Sequence, residues 1–258
     1  MNRKIKRKLN ESFSWSDEKY NNRFIVSDET EGPEDIVTPM EKLSLTSKKR
    51  ILSIDIGIIH LGMTLITTEK YNFSSLDWFD LIDITKDHCV SKCPLPHSNT
   101  FCDRIAHILY KYQNLFENVD VILIERQTPT GLTAIEQLFF CAYREKSILI
   151  APNSVHKYFG MTGLDYETRK VMSEKIATKY VPEHLQQRLA SFNRQHDIAD
   201  SILFTLFYCF KQRERKINER LLKKREKAMR RYNKRLKMSN NDFLDLYRYI
   251  PQEEGSVL

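Results

Sequence analysis

Glycine is scarce in this chain: seven in 258 residues, none of them clustered. Loops that cradle nucleotide phosphates need glycine so that backbone amides can close on an anion. An actin-like ATPase, which also begins on an Asp-x-Gly strand, is therefore excluded. Long apolar runs are missing too. No stretch approaches the ~20 residues that cross a bilayer, so no transmembrane helix and no membrane partner are expected. Cysteine is sparse and odd in number, five in all, which rules out a fully paired disulfide framework. The basic N-terminus, "MNRKIKRKLNESFSW", has no apolar centre of the kind a secretory leader carries. Both features predict a reducing compartment.

What is present is a soluble-type composition, 41% hydrophobic and 11% aromatic, with an uneven charge. The net charge is +7, yet residues 211–237 hold 14 Lys/Arg against three Glu, a net of +11, which leaves −4 for everything else. A basic block of that kind attracts polyanions. Residues 1–48 are polar and patternless and are expected to form a disordered arm.

The ordered region starts at Lys49. The hydrophobic pattern predicts strands at 50–56, 59–68 and 76–85, a helix at 100–117 capped by Asn99, and a strand at 119–125. Further on it predicts a helix at 132–146, a strand at 147–152 and helices at 168–181 and from about 196 onward. Three leading strands pair as an antiparallel meander, and helical crossovers add two parallel strands. The expected class is α/β with a mixed five-stranded sheet and flanking helices, the element order of the ribonuclease H-like fold.

Three apolar segments end or begin in acid. Asp55 closes "ILSIDIG", Glu125 closes "VILIERQ", and Asp197 and Asp200 open the apolar helix "HDIADSILFTLFY". The i, i+3 spacing of the last two puts both on one helix face. If the first and fourth strands are neighbours, all four carboxylates meet. Unneutralised, they would repel and hold protons near neutral pH. Oxygen-only donors suit Mg²⁺, with Mn²⁺ as substitute. Two such ions about 3.5–4 Å apart would serve an in-line phosphodiester displacement.

With these residues placed, the chain resembles the RuvC-type Holliday junction resolvases, in the branch carried by large DNA viruses of the poxvirus and iridovirus type. The motifs are "SIDIGIIHLG", "VILIERQTPTGLTAIEQ", "APNSVHKYFG", "YETRK" and "HDIADS", spread over residues 50–212. The resemblance implies a nuclease domain at 49–212 and a homodimer that makes paired symmetric nicks in four-way DNA with Mg²⁺. It also implies that Asp55, Glu125, Asp197 and Asp200 hold the metals and carry catalysis. Lys170 is expected to act on the transition-state charge, with Arg169 as its competitor. His196 is expected to touch a ligand carboxylate or a phosphate. In such dimers the helix after the glutamate strand forms the interface, so Leu138, Phe139 and Tyr143 are expected contacts. The viral likeness implies action in the host cytoplasm; a fungal-type relative would be mitochondrial.

Two segments depart from the family pattern. The insert at 86–102 carries Cys89, Cys93, His97 and Cys102, a candidate structural zinc set, against the alternative of ordinary reduced thiols. Residues 213–258 form a basic helical extension whose Lys223, Lys224, Arg225, Arg230 and Arg231 are expected to contact DNA phosphates. Alternatives of the same fold are an RNA–DNA hybrid or branched-DNA nuclease. A different class is a DNA-binding protein without activity.

Overall fold

The computed structural model describes residues 48–86, 88 and 93–248. Most of the expected N-terminal arm and Cys89 lie outside the described residues. Strands β1 (Lys48–Asp55), β2 (Leu61–Glu69) and β3 (Asn72–Ile82) form an antiparallel meander. Strands β4 (Val121–Glu125) and β5 (Ser147–Ile150) extend it in parallel, giving the order β3-β2-β1-β4-β5. The expected mixed sheet is therefore observed, with β1 and β4 adjacent at its centre.

Alternation along the central strands builds two cores. Leu52, Ile54, Ile122 and Ile124 face one side of the sheet and pack with helices α1 (Phe101–Lys111) and α3 (Thr133–Ala142). Ile51, Val121 and Leu123 face the other side. They meet α4 (Pro152–Tyr158), α5 (Tyr166–Thr178), α6 (Glu183–Ala190) and the first part of α7 (Gln195–Arg248). Because side chains alternate in a strand, Ser53, Asp55 and Glu125 share this second face.

Several boundaries differ from the sequence reading. The single helix expected over 100–117 breaks at Tyr112, whose φ of −103° and ψ of 17° leave the α-helical region, before α2 (Gln113–Glu117). There the Tyr112 ring packs on Trp78 at 5.7 Å, and the break lets Phe116 reach the core. The cap is Thr100, whose side chain accepts from the Asp103 amide, rather than Asn99. Helix α3 stops at Ala142, and a 3₁₀ turn at Arg144–Lys146 leads into β5. The Lys146 ammonium holds that turn by donating to the carbonyls of Glu117 and Val119.

Helix α7 is longer than the pattern suggested, running unbroken for 54 residues, ~80 Å at 1.5 Å per residue. Its first four turns are largely buried; from Ile217 to Lys234 it is exposed and basic. Among the described residues no helix is long and apolar enough to cross a membrane.

Candidate active site

Three elements deliver the four carboxylates. Asp55 is the last residue of β1 and Glu125 the last of β4, and the parallel β1–β4 register sets the two strand ends side by side. The Ile56 amide donates to Glu125 Oε2 at 3.1 Å. The carboxyl groups of Asp55 and Glu125 are hydrogen-bonded to each other, a contact that needs a proton or a cation between them.

Asp197 and Asp200 come from the first turns of α7, which lies across the second face of the sheet. Two features seat the helix there. Gly62 of β2 stands opposite Asp55, and a Cβ at this position would lie 2.4 Å from the Asp197 carbonyl oxygen. Only a residue without a side chain lets α7 approach so closely. Two turns further on, the buried hydroxyls of Ser53 and Thr205 bond at 2.6 Å, tying β1 to the helix.

The electrostatics record this crowding. Asp55 is held well above the usual carboxylate range, first by burial and then by repulsion from Glu125, Asp200 and Asp197. Burial also raises Glu125, against hydrogen bonds from Ile56, Asp55 and Gln127. Asp200 is pushed up to about 6, chiefly by burial, although the Ser173 hydroxyl of α5, His196 and Arg169 lie near and favour its charged form. Asp197 moves the other way. Burial raises it, but His196 and Arg194 more than offset that and leave it below its ordinary value. Arg194 pairs with it through Nε at 2.8 Å and Nη2 at 3.3 Å. His196 Nε2 is 3.0 Å from Asp197 Oδ1 but makes no well-angled hydrogen bond, so that contact is electrostatic.

The donor set fits a hard divalent cation. It is all oxygen, burial and mutual repulsion raise the proton affinity of Asp55 and Asp200, and a cation of charge two or more would relieve that.

Several groups that hold these acids were not expected from the sequence. Gln127 donates from Nε2 to Glu125 at 2.7 Å and accepts from the Leu132 amide through Oε1 at 3.2 Å. Its own amide donates to buried Glu136 at 2.5 Å. Ser173, Arg194 and Gly62 complete the set. Arg194 was detectable as a basic residue three before Asp197; Gln127, Ser173 and Gly62 carry no pattern that marks them.

The remaining expected residues separate into near and far. Arg169 acts on Asp200 through space. Lys170, one residue on, is occupied by the Tyr166 ring, with Nζ 3.8 Å from its centroid, and by Glu167 at 3.6 Å. Lys223, Lys224, Arg225, Arg230 and Arg231 are exposed along α7, ~35–45 Å from Asp200 by helical rise.

Phe139 corrects the expected interface. It is 1% exposed and stacked on Phe116, so it is a core residue that offers nothing to a partner. Tyr143 is stacked on Phe116 at 5.3 Å and half-buried, and Leu138 packs partly against the same core. The exposed positions of α3 are Ala134, Gln137, Cys141 and Ala142. In the insert, Cys93 and His97 are joined by His107, and Cys102 is exposed outside that group.

No curated protein matches the chain. Among solved structures, the yeast mitochondrial Holliday junction resolvase is 18% identical with a TM-score of 0.53, over 70% of this chain and 88% of that one. The fowlpox virus resolvase, solved with its substrate Holliday junction DNA, is 20% identical over 63% of this chain and 98% of that one, at a TM-score of 0.48. Thermus thermophilus RuvC is 18% identical over 63% and 96%, at 0.39. The yeast protein bears on the fold alone. The family described as Poxvirus A22 protein matches residues 49–212, a span that holds the whole sheet, all four carboxylates and the buried part of α7. The chain therefore belongs to the Poxvirus A22 protein family.

Proposed function

We propose that this protein is a divalent-metal-dependent endonuclease that resolves four-way DNA junctions by paired, symmetric phosphodiester hydrolysis, acting as a homodimer. The observation that carries the reading is the convergence of Asp55, Glu125, Asp197 and Asp200 from two strand ends and one helix. The printed names of the yeast and fowlpox relatives, both Holliday junction resolvases, favour junctions over other branched DNA.

Two Mg²⁺ ions, or Mn²⁺ in their place, would supply a nucleophile at neutral pH and charge neutralisation at the leaving oxygen. The protein's own groups do the rest. Asp55, Glu125, Asp197 and Asp200 provide the ligands, and Gln127 and the Ile56 amide fix the rotamer of Glu125. Arg169 places positive charge on α5 near Asp200 and is better placed than Lys170, which Tyr166 and Glu167 hold, to steady transition-state charge. The basic half of α7 adds sequence-independent phosphate contacts.

The dimer is assigned to the outward face of α3, with Ala134, Gln137, Leu138 and Cys141 meeting their copies about a twofold axis. Bismaleimide crosslinking that depends on Cys141 checks this face.

The test of function is cleavage of four-way junction, flap, RNA–DNA hybrid and linear duplex by the full chain with Mg²⁺, Mn²⁺ or EDTA. Ligatable nicks placed symmetrically in the junction are expected, and none in EDTA. Preference for the hybrid, or unimpaired cutting by both Asp55→Asn and Glu125→Gln, overturns the assignment.

A further inference from the structure

One cluster of metal-ligating side chains among the described residues has no part in the carboxylate centre. Cys93, His97 and His107 each present a ligand atom, and these atoms lie within 4.8 Å of one another. Cys93 and His97 belong to the loop ahead of α1, and His107 to the second turn of that helix. The imidazole rings of His97 and His107 lie 4.8 Å apart, tilted by 48°.

His107 gives the cluster its significance. It is 5% exposed, and its Nε2 is shut away from solvent without a hydrogen-bond partner. A buried polar atom left unpaired is destabilising, so a fold that retains one there calls for an occupant. The loop supplies a second reason. From Pro94 to Thr100 it is mostly exposed, so hydrophobic burial gives it little reason to hold one conformation. Small exposed segments of this kind are commonly stapled by a metal or a disulfide.

We propose that Cys93, His97 and His107 form a zinc site that fastens the 93–100 loop to α1. A thiolate with two imidazoles is a borderline-soft donor set that favours Zn²⁺ and disfavours Mg²⁺. Tetrahedral bonds of about 2.0–2.3 Å set donors roughly 3.3–3.8 Å apart, so side-chain adjustments of about 1 Å complete the geometry. Three protein ligands leave one position for water or a further donor. The Asp103 carboxylate, which accepts from the Ser98 amide at 3.0 Å, lies within electrostatic reach of both imidazoles and favours a cation there.

The site is structural in role. Its helix contributes Ile105 and Ile108 to the core on the α1 side of the sheet, the face opposite the carboxylates. The inference is independent of the nuclease reading.

The experiment is metal analysis of untagged full-length protein grown with zinc, followed by Co²⁺ substitution and thermal melting. Stoichiometric zinc is expected, with a thiolate-to-cobalt charge-transfer band in the exchanged protein and a lower melting temperature after chelation. Cys93→Ser should abolish the band. The exposed position His97→Ala, less disruptive to folding than any change at His107, should weaken Co²⁺ binding at least about tenfold. Cys102→Ser and Asp55→Asn should keep the zinc and the band. Protein without zinc overturns the proposal, as does zinc retained by both Cys93→Ser and His97→Ala. Zinc lost from Asp55→Asn would place the ion among the carboxylates and overturn it equally.

Discussion

Replacing Gly62 with alanine tests whether the first turn of α7 must touch β2 for the carboxylates to converge. A Cβ on Gly62 would stand 2.4 Å from the Asp197 carbonyl oxygen, 2.8 Å from its carbon and 3.4 Å from the Ile198 nitrogen. All three are backbone atoms, so no side-chain rotation relieves the clash. Restoring ordinary contact requires the helix turn to withdraw by about 1 Å, carrying Asp197 and Asp200 away from Asp55 and Glu125. Misplacement of that size costs on the order of 10²-fold in rate, and the overpacking costs ~1–3 kcal/mol of stability. The assay is single-turnover cleavage of a saturating four-way junction, run with a divalent titration and a thermal melt. Gly62→Ala should fold, bind the junction in EDTA as tightly as wild type, need more Mg²⁺, and cut about 100-fold more slowly. A folded variant that cuts within about threefold of wild type at every Mg²⁺ concentration would refute the argument, because the close approach would then not position the acids.

The pH response follows from the shifts. Asp55, Glu125 and Asp200 sit above their ordinary values, so in metal-free protein their stabilising, protonated forms are lost as pH rises. Melting temperature in EDTA should fall between the normal carboxylate range and pH about 6, where Asp200 titrates, while added Mg²⁺ should raise it above that pH. Asp197, lowered by its neighbours, contributes the opposite sign only at more acid pH; a stability curve that rises through pH 6 in EDTA contradicts the cluster. Asp55→Asn and Glu125→Gln should each abolish cleavage by at least about 10³-fold yet raise the melting temperature in EDTA, since each removes a buried repelling charge. Gln127→Ala should weaken divalent affinity about 10–100-fold while leaving junction binding intact, read by titrating Mg²⁺ against cleavage rate. Alanine at Lys223, Lys224, Arg225, Arg230 and Arg231 together should flatten the log–log salt dependence of junction affinity by about 0.9 per lost phosphate contact, without changing single-turnover rate at saturation.

Much of this architecture was legible because burial and charge conflict at a few positions. A fully apolar strand such as β4 that ends in Glu125, and an apolar helix that opens with Asp197 and Asp200, each place an acid where it must be neutralised. The element order then brings the acids together. The supporting groups lacked such a signal. Gln127 reads as an ordinary loop residue until the backbone turns it onto Glu125, and Ser173 reads as one more small residue in α5. Phe139 was misplaced for a physical reason: α3 is apolar nearly all round, so its periodicity does not say which side faces the core. The break at Tyr112 was hidden because apolar spacing continues across it, and only the Trp78 contact shows why the chain turns. His107, in the helix that follows the insert, was eclipsed by Cys102, which is closer in sequence to the other thiols but lies on the exposed start of α1.

The continuity of α7 has a mechanical consequence. One unjointed rod bears two of the four acids near its origin and eight exposed cationic residues between Arg220 and Lys234 along its shaft, and it is pinned beside the acids by the Ser53–Thr205 bond. The direction in which the shaft leaves the sheet is therefore fixed by the same seat, Gly62 and the Ser53–Thr205 bond, that places the two acids.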